Sequence, residues 1–417
     1  MGDKKLSINL NRLMQTIDAS AKIGSLPKGG IRRLALTDED KQMRDLFVEW
    51  LKQSDLHVRI DDFGNIYGRT KAQNPEAPPI LIGSHLDTQP EGGCYDGILG
   101  VLSALEVIRT LNDNKIELNR PVEIVSFTNE EGARFAPPIM GSGGLSGIFD
   151  KSFIFSRQDK DGKTFEQELK RIGYEGNEKD RLKDIFCYIE LHIEQGPVLE
   201  RENLDIGIVT GIQGMNWLEV KVIGQSDHAG PTPMSMRKDA LLTAAKMITD
   251  SNRLILEQDN ESTITVGCIS ISPNSINCVP GEVTFSIDIR HPDNQIRKQL
   301  MSEIRQRLST IAIIEQVQIE MKEIWETNST DFSDELIIHL TEEAKRLGYQ
   351  YKKMVSGAGH DAKYISDMTD TAMIFVPSVD GKSHCQEEYT KTEYIEKGAN
   401  LLLNVVQKIA TVSNVNI

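Results

Sequence analysis

The sequence predicts an α/β protein carrying a smaller α+β module inserted within it. Three observations support this. Short apolar strand patterns at 79–84, 122–128 and 187–192 alternate with helical spacing, as at 96–112, which marks a parallel sheet buried on both faces. After residue 212 the strands change texture. The segments 218–223, 263–271 and 283–289 alternate apolar with polar residues, and two long helical patterns near 235–258 and 294–312 accompany them. Beyond about 330 the first texture returns, with a helix near 334–347, a buried strand at 372–376 and a closing helix near 391–410. The expected division is a discontinuous domain of residues 1–212 and 329–417 and an inserted domain of residues 213–328.

Composition narrows the function class. The chain has 417 residues, 39% hydrophobic and 26% charged, an ordinary globular balance. With 47 basic and 62 acidic residues the net charge is −15, which argues against nucleic acid as the main partner. No apolar run approaches the roughly 18 residues of a membrane helix, and the N-terminal sequence lacks a signal-peptide core. Leu6 stands where an N-myristoylation pattern needs Ser or Thr. Five scattered cysteines without CxxC spacing read as reduced thiols of a cytoplasmic protein. The Asn-x-Ser/Thr matches at Asn260 and Asn328 read as chance.

The chemistry gathers at strand ends. In GSHLD an apolar strand delivers His85 at its C-terminal end, where α/β proteins place ligands. Asp87, two residues on, is expected to accept the imidazole's other N–H through its carboxylate; a solvated loop pair is the alternative. Asp96 lies between glycines in GGCYDG at a helix start, where capping is the simpler reading. Glu130 and Glu131 are adjacent in FTNEEG, where their repulsion costs energy unless a cation absorbs the charge; an acidic surface pair is the simpler reading of the two alone. Their side chains diverge, so one is free to hold a metal while the other addresses a water. His192, with Gln195 just after it, ends a third strand, and His384 follows a fourth. A lone histidine is ordinarily structural. Three histidines and three carboxylates at the ends of predicted strands make a metal set, and imidazole with carboxylate suits Zn²⁺, Mn²⁺, Co²⁺ or Ni²⁺.

The inserted domain offers a second group: His228 in SDHAGPTP, Asn277 in SINCVP, and Arg290 at the end of TFSIDIR. Arginine suits bidentate capture of a carboxylate, although spacing alone favours a surface salt bridge and two turn residues. The run GAGHD, beginning at Gly357, is a glycine-rich turn able to offer N–H groups to an anion; the alternative is that His360 with Asp361 braces the site from behind.

Taken in order, HLDTQPEGGCYDG, FTNEEGARF, ELHIEQGPVLE, SDHAGPTPM, INCVPGEV, SGAGHDA and SHCQEEYT resemble the N-carbamoyl-amino-acid amidohydrolases. These belong to the di-metal aminoacylase and carboxypeptidase superfamily, beside β-ureidopropionase and allantoate amidohydrolase. The match runs from about residue 30 to 395, and ELHIEQG and NEEGARF separate this branch from the superfamily's peptidases.

The resemblance implies a mixed-sheet, di-metal aminopeptidase-like catalytic domain with an inserted lid and dimerisation domain. It implies two divalent metals, one held by His85, Asp96 and His192 and the other by Asp96, Glu131 and His384; Asp87, from its place beside His85, is counted with the catalytic residues. Glu130 would be the general base. Gln195, Asn277, Arg290 and Gly357 would contact substrate, with Arg290 on its carboxylate. His228 would reach the scissile carbonyl across a homodimer interface, and domain closure would bring Arg290 and His228 to the metals. The expected reaction is hydrolysis of a terminal ureido group of a small carboxylate substrate to an amino acid, CO₂ and NH₃. Allantoate hydrolysis is the sister reading, and a catalytically silent, metal-stabilised binding protein is the non-enzymatic one.

Overall fold

The computed structural model describes residues 5–258 and 261–412, so the Asn260 match lies outside the described residues. The chain divides into two compact units, one of Met1–Thr210 and Phe332–Ile417, the other of Gly211–Asp331. In chain order the strands of the first are β1 (His57–Ile60), β2 (Ile66–Arg69), β3 (Ile80–His85), β4 (Val122–Phe127), β5 (Cys187–Ile193) and β6 (Ile206–Ile212). The second holds β7 (Gly214–Ile223), β8 (Asp227–His228), β9 (Thr263–Thr265), β10 (Ile269–Ser272), β11 (Cys278–Val279), β12 (Glu282–His291), β13 (Gln318–Thr327) and β14 (Thr330–Asp331). The chain then supplies β15 (Tyr351–Ser356) and β16 (Thr371–Val376) to the first unit.

The larger sheet runs β1-β2-β4-β3-β5-β16-β6, with β15 also on β6. Its four central strands are parallel, and β2 and β6 flank them in the antiparallel sense. Every residue of β3, β4, β5 and β16 is buried. Strands covered on both faces must be apolar nearly throughout, so each polar residue in them needs a specific partner. Glu123 has Arg59 and Arg69. Ser84 donates to Glu190 at 2.6 Å. The Tyr188 hydroxyl donates to the Gly83 carbonyl and that of Thr371 to the Thr369 carbonyl, and His85 and His192 stand near the carboxyl ends. The long helices Ile98–Asp113 and Thr392–Thr411 pack on this sheet and on each other.

In the second unit the sheet order is β10-β12-β7-β13, with β9 also on β12. Alternate residues of β7 and β12 are buried: Leu218, Val220 and Val222 face the same side as Val283, Phe285, Ile287 and Ile289. The helices Ala240–Gln258 and Asn294–Ile314 cover that side with Ala244, Met247, Leu300, Ile304 and Leu308. Trp217, Glu219, Thr284, Ser286, Asp288 and Arg290 occupy the other face. The single strand expected at 263–271 is instead two strands. Between Thr265 opposite Asp288 and Ile269 opposite Phe285, three residues face two, so the strand bulges. Ser286 fills the break, its Oγ accepting the Cys268 N–H at 3.1 Å.

This core should respond to truncation. Phe285→Ala is expected to destabilise the inserted unit by about 3–5 kcal/mol, measured by urea unfolding followed through Trp217 and Trp325. A loss below about 1 kcal/mol, far under the usual cost of emptying a buried aromatic site, would show that the sheet–helix core does not hold this unit together.

Candidate metal centre

Parallel strands set their carboxyl ends side by side, and the loops leaving those ends carry the site. His85 is the last residue of β3, Glu130 and Glu131 follow β4, His192 lies one residue from the end of β5, and His384 follows β16. The His85 Nδ1–H donates to the backbone carbonyl of Asp87 at 2.9 Å, and the His192 Nδ1–H to that of Ile193 at 3.0 Å. A carbonyl only accepts, so Nδ1 carries a hydrogen in both rings and Nε2 is the nitrogen that faces inward.

Asp96 stands between these groups. Its Oδ1 lies 3.2 Å from His192 Nε2 and 3.7 Å from His85 Nε2. Its Oδ2 lies 3.3 Å from His384 Nε2, which is 3.5 Å from Glu131 Oε2. The result is two ligand groups sharing one carboxylate: His85, Asp96 and His192, and Asp96, Glu131 and His384. Within each, the candidate ligand atoms lie within 4.8 Å of one another. Glu130 is separate from Glu131, its Oε2 3.5 Å from His85 Nε2.

Asp96 is not a helix cap. Gly97 holds that position, with no side-chain capping bond. Gly97 has φ of 65°, and a Cβ there would sit 2.3 Å from His85 Nε2. A glycine is therefore required both by the backbone and by the imidazole beside it.

The expected pairing of the Asp87 carboxylate with His85 is corrected. That carboxylate is 3.9 Å from Nδ1, whose hydrogen goes to Asp87's own carbonyl. Its oxygens are taken instead by the backbone N–H groups of Glu130 and Glu131, at 3.2 Å each. Asp87 thus fixes the turn that presents both glutamates. Burial pushes it up to about 7.

The electrostatics favour a divalent cation. Burial, then the neighbouring carboxylates, hold Glu130 and Glu131 well above the usual carboxylate range. Burial also holds His85 down, near 4, which keeps it a neutral ligand. Burial opposes ionisation of Asp96, yet hydrogen bonds with His192 and His384 outweigh it and hold Asp96 well below its usual value. A proton competes with a cation for the His192 nitrogen: burial lowers that imidazole, but Asp96 opposite pushes it up to about 9. Imidazole and carboxylate donors without thiolate, around more negative charge than the histidines can balance, fit divalent metals.

Around this centre Gln195 Nε2 donates to Asp96 Oδ2 at 2.9 Å. Gly357 lies in the turn after β15, three residues before His360, whose ring is 4.4 Å from that of His192 between centroids. Two contacts went unread in the sequence: Gln89 Nε2 donates to Glu131 Oε2 at 2.6 Å, and Ser383 Oγ to Asp96 Oδ2 at 3.0 Å. The available signals were proximity alone, four residues from His85 and one from His384.

His228, Asn277 and Arg290 belong to the second unit. Pairing of β8 with β11 sets His228 opposite Cys278, and the Ala229 N–H donates to the Asn277 carbonyl at 2.9 Å. Exposed His228 accepts the Gly230 N–H at Nδ1, 3.1 Å away. Arg290 is held by Asp288, two residues back on the same strand face, with Nη2 donating to Oδ2 at 2.8 Å.

The sequence matches the Peptidase family M20/M25/M40 over residues 81–408. It is 39% identical over 405 residues to the N-carbamoyl-L-amino-acid amidohydrolase of Rhizobium meliloti, covering 97% of each chain. The chain belongs to the M20/M25/M40 family. Another relative, 33% identical, is the allantoate amidohydrolase of Bacillus subtilis (strain 168), with 98% of this chain and 100% of the relative covered. Among solved structures, a hydantoinase/carbamoylase family amidase from Burkholderia multivorans matches with TM-score 0.94 at 44% identity, covering 97% of this chain and 98% of the other. Enzymes of the M20 type are di-metal hydrolases, and the mixed α/β fold is theirs. No helix among the described residues is long and apolar enough to cross a membrane.

Gly97→Ala tests the packing at the centre. The variant should lose about 1–3 kcal/mol of stability in the metal-free protein and bind Zn²⁺ more weakly, because the methyl group displaces His85. Unfolding midpoints and Zn²⁺ titration read the two effects; unchanged Zn²⁺ affinity would remove His85 from the ligand set.

Proposed function

We propose that the protein is a metal-dependent amidohydrolase that cleaves the ureido group of N-carbamoyl-L-amino acids or N-carbamoyl-β-alanine. The observation that carries this reading is the double ligand group sharing Asp96, with Glu130 alongside it but engaged in neither group. The relatives named for the same reaction support it. In the net reaction one water is consumed, the bond between the carbamoyl carbon and the amino-acid nitrogen breaks, and the carbamate released falls to CO₂ and NH₃.

His85, Asp96 and His192 would hold one divalent ion, and Asp96, Glu131 and His384 the other. When bound, two such ions supply Lewis-acid polarisation of the scissile carbonyl and make water at the site more acidic. The chain's own residues do the rest. Glu130 takes the proton of the attacking water and delivers it to the departing nitrogen, a role suited to a carboxylate raised by burial. Asp87 keeps Glu130 aimed by holding its backbone. Arg290 takes the substrate carboxylate in a bidentate grip, and Gln195, Asn277 and Gly357 contact the rest of the substrate. His228, with Nδ1 already accepting a hydrogen bond, carries its hydrogen on Nε2 and is suited to donate to the scissile carbonyl. We assign His228 to the site of a partner copy, which makes the inserted unit a lid and dimerisation domain and the protein a homodimer. Five unpaired cysteines support a cytoplasmic enzyme.

Allantoate is the second candidate substrate, favoured by the allantoate amidohydrolase relative. Ammonia release from N-carbamoyl-β-alanine, N-carbamoyl-L-amino acids, one D-enantiomer and allantoate, with Mn²⁺- or Zn²⁺-loaded protein, separates the two. Faster turnover of allantoate would overturn the carbamoyl assignment, and silence on all of them with both metals bound would overturn the enzyme reading.

Glu130→Gln should retain bound metal while kcat falls roughly 10²–10⁴-fold; a fully active variant would exclude Glu130 as the base. Arg290→Lys should raise KM for carboxylate substrates by about 10-fold or more, the loss of one charge-assisted hydrogen bond, with kcat little altered. An unchanged KM would place the carboxylate elsewhere.

A further inference from the structure

The motif SHCQEEYT ends in a buried carboxylate that the reaction scheme leaves unused. Glu388 lies four residues after His384 and is 6% exposed. Its Oε1 accepts the backbone N–H groups of Tyr95 at 3.0 Å and of Asp96 at 3.1 Å, across nearly 300 residues of chain. Its Oε2 lies 2.9 Å from Ser383 Oγ, the same hydroxyl that stands 3.0 Å from Asp96 Oδ2. The side chain runs against the backbone of Gly93, where a Cβ would come within 2.0 Å of Oε1. A glycine at 93 is what lets the carboxylate reach these amides. Burying a carboxylate is costly without donors to satisfy it. Here Oε1 takes two backbone amides, at Tyr95 and Asp96, and Oε2 lies beside the one Ser383 hydroxyl that both carboxylates share, so the contacts tie Asp96 to the loop that bears His384.

The two ligand groups differ in how they are held. His85 and His192 end buried strands, each 1% exposed at the side chain. His384 is on a loop, 50% exposed, with φ of 55°. Glu388 is the tie between that loop and Asp96. We infer that Glu388 is a positioning residue: through the Asp96 backbone and Ser383 it sets the shared carboxylate against His384 and so governs the second cation position. The inference rests on the two-cation reading above. A glutamine at 388 keeps an acceptor for the two backbone amides, whereas alanine removes both links.

The test is Zn²⁺ titration of the full-length protein against a chromophoric chelator, with stoichiometry by elemental analysis after dialysis. Wild type should bind two Zn²⁺. Glu388→Ala should keep the tighter one and bind the weaker about 10–100-fold less well, the usual effect of removing a group that orients a ligand. Glu388→Gln should recover much of that loss. Ser383→Ala, which leaves the Glu388 contacts to the backbone amides intact, should weaken the second ion by a smaller factor and serves if Glu388→Ala fails to fold. Two Zn²⁺ in wild type, with unchanged affinities in the folded Glu388 and Ser383 variants, would overturn the positioning role alone. Fewer than two in wild type would overturn the two-cation reading and this inference with it.

Discussion

The structure turns on one shared carboxylate. Asp96 faces His85 and His192 with one oxygen and His384 with the other, in an interior that also holds Glu130, Glu131 and Asp87. So many acids buried together are unfavourable unless cations and hydrogen-bond donors compensate them. Much of the surrounding architecture supplies donors or geometry for that purpose. Asp87 spends its oxygens on two backbone amides, the Asp87 and Ile193 carbonyls set the tautomers of His85 and His192, and Gly97 clears room for the imidazole. The four parallel strands matter chiefly because their carboxyl ends converge, which lets segments far apart in sequence meet at one point.

Much of this was legible in the residues because buried parallel strands tolerate so little polarity. Against ILIGSH or CYIELHI a histidine stands out, and its place near the strand end marks a ligand-bearing position. The orientation of Asp87 was not legible. Its carbonyl and its carboxylate compete for the same imidazole hydrogen, and the backbone path of the next few residues decides between them. Ser383 and Glu388 were unreadable for another reason: their partners lie nearly 300 residues earlier, and neither residue type announces such a contact. The module's outer strand β13 was missed because its alternation fails. Gln318–Thr327 carries charged residues on both faces, and its register shifts between Glu323 and Trp325. The division of 263–271 into β9 and β10 was hidden similarly, since a one-residue bulge leaves no compositional trace.

The inserted unit solves a different problem from the metal-bearing one. Its candidate residues lie at a surface, where an unconstrained side chain samples many rotamers and would lose entropy on binding. Each candidate is tethered before any ligand arrives. Arg290 is held by Asp288 on the same strand face, and the Gly230 N–H fixes the His228 ring. The β8–β11 pairing places the Asn277 backbone beside the His228 strand. Asp288 also partly neutralises Arg290, so in the proposed role an incoming carboxylate would have to compete with it. That competition would weaken any anion lacking the shape to use the whole guanidinium fork, and so would favour selectivity over raw affinity.

Burial divides the two candidate cation positions in a way that bears on function. The group built on His85 and His192 is closed to solvent, whereas the group built on His384 keeps a half-exposed ligand on a loop. A ligand that holds its geometry only through neighbouring loop contacts exchanges more readily than one fixed at a strand end, because moving it disturbs fewer packed atoms. The exposed side is also where Gln195, Ser383 and Glu388 converge on Asp96. Hydrogen bonds from Gln195 and Ser383, at 2.9 and 3.0 Å, hold Asp96 at Oδ2, while Oδ1 faces the buried histidines. With Asp96 held at both oxygens, the half-exposed His384 is the candidate ligand best placed to shift.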